Sequence, residues 1–259
     1  MKDAIRNSIK INMRAYYDYQ DERIALDGRL GIKKDGEAKA GAPETDETMM
    51  LVLRERRQSI FAFEEALFKD LAKEVHTHPL WIAFLADAKG VGESVAAVLI
   101  SEIDIERATT VSKIWQFAGL NPGEVFGKLA KGKGKERKLI PTTDKIRGDK
   151  RTKGYLCPYN QFLKAKLCGV LGPSFLKCNS PYREYYDNMK HRLESAEWGT
   201  ASKNPTDKAR PKAGHQHKAA TRYMVKMFLR DLYVAWRTLE GLPVREPYQS
   251  EYLGKRHSA

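Results

Sequence analysis

Apolar residues recur at helical spacing along most of the chain, and this pattern limits the possible folds more than any other feature. The clearest case is the segment 216–240, in which one face carries Val225, Phe228, Leu232, Trp236 and Leu239. Steps of three and four residues place these side chains on one side of a helix, and Gly241 and Pro243 then end it. We find no segment with the alternation of a half-buried strand. With 259 residues the chain can bury a core without disulfides, and the sequence predicts an all-α protein.

The first 80 residues predict an N-terminal arm of two helices. Apolar residues keep helical spacing from 4 to 27, and glycines and a proline from Gly28 to Pro43 interrupt the pattern. A second helix begins after Pro43 and carries Leu53, Ile60, Phe63, Leu67 and Leu71. Two arrangements remain open, an antiparallel helical hairpin within one chain or a coiled coil that joins two copies into a homodimer.

Cysteine and histidine spacing gives no sign of a metal site, and we expect neither a metal nor another cofactor. Cys157, Cys168 and Cys178 lie ten and eleven residues apart, which fits reduced core thiols better than disulfides or zinc ligands. The pairs His76/His78 and His215/His217 are predicted to be surface histidines. The start of the chain lacks a secretory signal and no apolar run could span a bilayer, so we expect a cytoplasmic protein without membrane contacts.

The net charge of +13 is concentrated in two short segments. Residues 125–155 contain eleven basic residues against three acidic ones, and residues 201–218 contain five against one. Both segments are rich in Gly, Pro, Lys and Thr and read as basic loops. Solvated surface loops are one interpretation; the other is that their cations bind phosphates of a polyanion. The candidate phosphate contacts of the first loop are Lys128, Lys131, Lys133, Lys135, Arg137, Lys138, Arg147, Lys150, Arg151 and Lys153.

Residues 84–100 have the pattern of a helix-hairpin-helix. Gly90 and Gly92 flank Val91, and Ala96 follows at the position where a second helix would cross the first. We expect both glycines to adopt backbone angles or close approaches that a Cβ would prevent, and Val91 to pack between the helices. The amides that open the second helix, with Lys89 beside them, could donate to a DNA phosphate. An ordinary junction between a loop and a helix would also explain this pattern.

Basic residues form a stripe on the last helix, about 120° from its apolar face. The stripe contains Arg222, Lys226, Arg230 and Arg237. A solvated helix face would explain it; the alternative is that Arg222, Lys226 and Arg230 extend a nucleic-acid surface from the second basic loop.

Four sequence blocks in a fixed order resemble the C-terminal, DNA-gripping domain of the Piv/MooV-type DEDD transposases and invertases. The blocks are the hairpin at 90–96, Trp115–Pro122, Tyr182–Lys190 and Lys218–Lys226, and the resemblance covers roughly residues 80–241. It implies a mobile-element protein, encoded by a bacterium or a phage and nucleoid-associated when bound to DNA. The chain then divides into a helical arm (1–80), a helix-hairpin-helix segment (81–122), a basic loop (123–155) and a C-terminal helical transposase-like segment (156–259).

The resemblance also implies chemistry that this chain lacks. Members of the family have an N-terminal RuvC-like domain whose carboxylates hold divalent metal, and a nucleophilic serine soon after the Ala-Gly-Leu-x-Pro block. Here residues 1–80 read as helices and no serine occurs between Ser112 and Ser174. We therefore assign no catalytic residue and expect DNA binding in transposition or recombination. Two alternatives remain: a divergent transposase that cuts DNA through Thr142 or Thr143 or with a partner nuclease or transposase subunit, and a protein that binds structured RNA, since the family uses a guide RNA.

Overall fold

The protein is mostly helical and contains one small sheet, as a computed structural model shows for residues 2–33, 35, 37, 47–132, 138–195 and 213–245. In chain order the helices are α1 (Lys2–Leu30), α2 (Glu47–His76), α3 (Glu93–Glu102), α4 (Val111–Phe117), α5 (Gln161–Lys166), α6 (Gly172–Lys177), α7 (Arg183–Ser195) and α8 (Ala213–Leu239). Trp81–Leu85 forms a π-helical turn before α3, and a second π-helical turn, Leu167–Leu171, joins α5 to α6. The strands β1 (Glu124–Lys131) and β2 (Lys138–Arg147) form an antiparallel hairpin.

The three long helices predicted from apolar spacing are confirmed. The predicted bounds 4–27 and 216–240 differ from those of α1 and α8 by at most three residues. Helices α1 and α2 pack on each other in antiparallel order, since Ser8 donates to Glu74 while Arg57 donates to Asp27. The N-terminal arm is thus a helical hairpin within one chain, and its association with a second copy stays a prediction. None of the helices described is long and apolar enough to cross a membrane.

The all-α prediction is wrong at residues 124–131 and 138–147, because these parts of the predicted basic loop are two paired β-strands. Cross-strand backbone hydrogen bonds align Val125 with Ile146 and Leu129 with Ile140. The strands are stabilised by these cross-strand pairs and by residues that follow them in the chain. Neither source of stability can be recognised from the residues of one strand alone. Pro141 is tolerated because each strand of a two-stranded sheet is an edge strand.

The core forms around α3 and the apolar face of α8. Every residue of α3 from Val95 to Glu102 is buried, and α1, α2 and α5 cover it from different sides. Helix α8 adds Val225, Phe228 and Leu232, all fully buried. Since burial of each such side chain stabilises a fold by about 1.5–3 kcal/mol, these two helices hold the remaining elements in place.

A buried cluster of charges joins α1 to α2 inside the arm. The Arg23 guanidinium donates to Glu64 (2.5 Å) and to Asp27 (2.7 Å), and Arg57 donates to Asp27 from the other side (2.9 Å). The side chains of Arg23 and Glu64 are only 4 % and 5 % exposed. Each charge in this cluster therefore depends on its partner for the hydrogen bonds that water would otherwise provide.

We predict that Glu64→Ala lowers the free energy of unfolding by about 3–5 kcal/mol, because it leaves the Arg23 guanidinium buried without its main partner. Urea unfolding followed by circular dichroism measures the change. Glu65→Ala, at the exposed neighbouring position, is the control and should change stability by less than about 0.5 kcal/mol. Equal losses of unfolding free energy in the two variants would contradict the role of Glu64 as the main partner of Arg23.

A second buried carboxylate ties α3 to α1 and to the start of α5. Glu102 accepts from Arg14 (2.5 Å) and from the Asn160 amide (2.5 Å), and Lys10 lies 3.6 Å away. Burial alone would raise the pKa of Glu102, but the two hydrogen bonds and the nearby cations outweigh it and lower that pKa. The ionised form is thus favoured in the folded protein.

The lowered pKa predicts a stability loss in acid. The unfolded Glu102 carboxyl has its ordinary pKa of about 4.3, so its contribution is fully present above that value and is lost as the pH falls through the lower folded pKa. The difference in unfolding free energy between the native protein and Glu102→Gln should be largest near pH 7 and should shrink below about pH 4. A difference that does not vary with pH would rule out this linkage.

Candidate nucleic-acid interface

The β-hairpin presents one fully exposed face and one face that is partly covered. Strand alternation places Phe126, Lys128 and Ala130 of β1 opposite Lys145, Pro141 and Leu139 of β2 on the outer face. All of these outer residues are exposed. On the inner face Ile146 is buried and Val125 and Leu129 are half-buried. The part of the hairpin near Ile146, which we call its root, is therefore attached to the helical body, while the outer face is open.

Tyr155 and Leu156 hold the inner face near the root. The Tyr155 hydroxyl donates to Asp144 (2.6 Å), which raises the pKa of the tyrosine, and the Leu156 amide donates to the Lys128 carbonyl (2.8 Å). The ring of Tyr155 lies so close to Gly127 that a Cβ there would come within 2.5 Å of it. Gly127 is therefore required by the approach of the ring.

An ion pair and a lysine fix the end of β2. Arg147 binds the buried carboxylate of Asp149 with two hydrogen bonds (2.9 and 3.1 Å), and the Lys164 ammonium donates to the Asp149 carbonyl. Burial lowers the pKa of Lys164, and the positive charge of Arg222 acts in the same direction. Arg222, on α8, is half-buried.

The structure brings most of the predicted phosphate contacts of the first basic segment to the hairpin and the turn after it. The side chains exposed there are Lys128, Lys131, Lys138, Arg147, Lys150, Arg151 and Lys153. Lys133, Lys135 and Arg137 lie outside the described residues, as does the second basic loop up to residue 212. The register places Lys131 directly opposite Lys138, so two like charges face each other across the hairpin.

The basic stripe on α8 is not one continuous surface. Lys226 is half-buried and its ammonium lies 4.3 Å from the centre of the Trp115 ring, and burial lowers its pKa. Arg230 pairs with Asp231 (2.8 Å) and reaches the Tyr185 hydroxyl.

Arg237 is buried and donates to the carbonyls of Ile105, Ala108 and Pro243. Including Arg237 in an exposed stripe is therefore wrong, because helical periodicity does not reveal which carbonyls approach it from elsewhere.

The predicted helix-hairpin-helix turn lies against α6. Gly90 has φ +101°, and a Cβ would come within 2.8 Å of the Phe175 ring and 2.9 Å of the Cys178 sulfur. The Ser174 hydroxyl donates to the Gly90 carbonyl (2.7 Å), and Val91 is buried in the core. The glycine requirement is thus confirmed at Gly90. It is wrong at Gly92, where the backbone is extended and the space around it is open.

Lys89 and Gly92 are the exposed members of this turn. The first amides of α3 have no side-chain cap, since Gly92 occupies the capping position. The Glu93 carboxylate pairs with His76 (3.2 Å), whose ring stacks on Trp81. Lys89 is therefore exposed beside a helix N-terminus whose first amides lack a side-chain cap, and amides at such a position can donate to an anion.

Thr142, one of the two threonines considered as nucleophiles, has a structural partner. Its hydroxyl donates to the Gly127 carbonyl (3.0 Å). The three cysteines are half-buried and free of disulfides. In the described part of the chain no three His, Cys, Asp or Glu side chains gather in a way that could hold a metal ion.

Comparisons with protein-family models, with curated proteins and with solved structures find no match to this chain. Sequence reasoning missed Phe126 and Leu139 on the outer face, and Asp149 and Tyr155 at the root. The isoleucines and threonines of β2 are typical of a strand and were the available indication of the hairpin.

We predict that Gly90→Ala destabilises the protein by about 1–3 kcal/mol, because alanine is strained at positive φ and its Cβ would contact Phe175. Gly92→Ala is the matched control and should cost no more than about 1 kcal/mol, since only the capping preference changes. Urea unfolding measures both. A greater loss for Gly92→Ala would contradict the geometry of the turn.

Proposed function

We propose that this protein binds DNA and that the exposed cations of the β-hairpin contact the phosphate backbone. The observation that carries the proposal is the uncompensated charge on the hairpin. The ion pairs found in its described part join Lys145 to Glu124 and Arg147 to Asp149, so Lys128, Lys131 and Lys138 have no carboxylate partner there. Like charges directly opposite each other destabilise a strand pair, and an anion between Lys131 and Lys138 would relieve that repulsion.

A polyanion suits this arrangement better than a single small anion. The exposed cations continue from the hairpin into the following turn with Lys150, Arg151 and Lys153. A row of cations that neutralises several phosphates releases the counterions condensed on DNA, which drives binding. The uncapped amides of α3 with Lys89 offer a second, separate phosphate contact.

We further propose that DNA binding serves transposition or recombination, and this part depends on the resemblance of the four sequence blocks. Strand cleavage would then come from a partner nuclease or transposase subunit. Association of two copies through the N-terminal helices would give such a complex two DNA-binding hairpins. Size-exclusion chromatography with light scattering measures the molar mass in solution and so tests whether the protein is a dimer.

We predict that replacing Lys128, Lys131 and Lys138 together by glutamine weakens binding to a mixed-sequence DNA duplex. If the protein neutralises six to ten phosphates, native affinity should fall about a thousandfold or more between 50 and 200 mM salt. Each lost phosphate contact should reduce the slope of log affinity against log salt by about one. Fluorescence anisotropy of a labelled duplex at several salt concentrations measures both quantities.

The control variant carries the same charge change on α2, at the exposed positions Arg54, Lys69 and Lys73. It should keep the native salt slope to within about one. If the native protein shows no salt-dependent DNA binding, the proposed function is wrong. If both triple variants lose the same slope, binding is a property of net charge and the hairpin has no special part in it.

A further inference from the structure

We infer that the outer face of the β-hairpin enters the major groove of B-form DNA, so that the protein selects duplex DNA over duplex RNA. This inference rests on the proposed function and specifies the ligand of the same surface. It depends on four properties of the hairpin: its open outer face, the composition of that face, its dimensions and its ordered root.

The outer face has no helix packed against it in the described structure. Strands β1 and β2 pack chiefly on each other, and the residues that hold the hairpin, Tyr155 and Leu156, bind at Asp144 and at the Lys128 carbonyl. The Phe126 side chain is 66 % exposed and that of Leu139 is 51 % exposed. These two apolar side chains are therefore accessible to a ligand that covers the outer face.

Apolar and basic residues share this face, and its one carboxylate, Glu124, lies at the root and pairs with Lys145 (3.7 Å). Phe126 is paired with Lys145, and Lys128 lies next to Ala130, which is paired with Leu139. The walls of the major groove are lined by phosphates, and its floor presents thymine methyl groups together with hydrogen-bonding base edges. Lysine side chains at the walls and apolar side chains at the floor would each meet a chemically suitable partner.

The dimensions of the hairpin favour the major groove of B-form DNA. Two paired strands lie about 4.8 Å apart before side chains are added, and the B-form major groove is about 12 Å wide and admits a two-stranded ribbon, whereas the minor groove is about 6 Å wide. From Phe126 to Lys131 the ribbon extends roughly 17 Å, about half of one 34–36 Å DNA turn. The major groove of A-form RNA is too deep and narrow for side chains to read.

The hairpin is also twisted and held in place at its root before a ligand binds. An irregularity in the register between Phe126 and Lys128 adds residues to β2, and such bulges increase the twist of a strand pair. At the root, Arg147, Asp149 and Lys164 form a fixed set of hydrogen bonds. A ligand-binding element that is already ordered loses less conformational entropy on binding.

The experiment compares four ligands by anisotropy at one salt concentration: a mixed-sequence DNA duplex, the same duplex with glucosylated hydroxymethylcytosine, the DNA duplex with netropsin, and the matching RNA duplex. Glucose fills the major groove, and netropsin fills the minor groove. We expect at least tenfold weaker binding to the glucosylated DNA and to the RNA duplex, and less than a twofold change with netropsin.

The double variant Phe126→Ala/Leu139→Ala separates groove insertion from phosphate contact. For this variant, the logarithm of the affinity ratio between plain and glucosylated DNA should fall to half of its native value or less. The slope of log affinity against log salt should stay native. Ile11→Ala, at a position on α1 that is 69 % exposed, is the control and should retain full discrimination. Thermal unfolding confirms that each variant is folded.

The two proposals fail in different ways. Salt-dependent DNA binding that is unaffected by glucosylation, or equal affinity for the RNA duplex, would overturn major-groove insertion and leave phosphate binding intact. Tighter binding of RNA than of DNA would overturn it as well and favour structured RNA as the ligand. No binding to any duplex would overturn the proposed function itself.

Discussion

The burial of α3 on every side is the constraint on which the other elements depend. Eight consecutive residues, Val95–Glu102, are buried, so this helix needs a different neighbour on each face. Both helices of the N-terminal arm and α5 pack against it. The polar end of the helix, Glu102, is compensated by Arg14 and Asn160, which belong to two of these neighbours. Packing and charge compensation thus select the same arrangement.

This arrangement also explains where the turn and the hairpin are held. The turn before α3 lies against Phe175 and Cys178, so Gly90 is needed for packing, while Lys89 remains exposed. The hairpin is held by other residues, Asp149 with Lys164 and Tyr155 with Asp144. The protein therefore has two exposed cationic elements with independent supports, and a substitution in one should leave the geometry of the other unchanged.

The long helices could be predicted because their apolar spacing is a local property. The hairpin could not, since β1 and β2 lack strict alternation and Pro141 lies within a strand. Its stability comes from pairs such as Leu129 with Ile140 and from the ring of Tyr155 over Gly127. In the same way, helical periodicity places Arg237 in a basic stripe, whereas in the structure it is buried and donates to the carbonyls of Ile105 and Ala108.

The sequence by itself determined that the protein is largely helical and that its positive charge is concentrated in short segments, because helical periodicity and charge are properties of neighbouring residues. The tertiary structure decided which cations are exposed. Lys128, Lys131 and Lys138 extend from an open hairpin, whereas Lys226 covers Trp115 and Arg237 binds carbonyls more than a hundred residues away. The cost of burying a charge depends on partners supplied by the fold, and distant segments of the chain provide those partners.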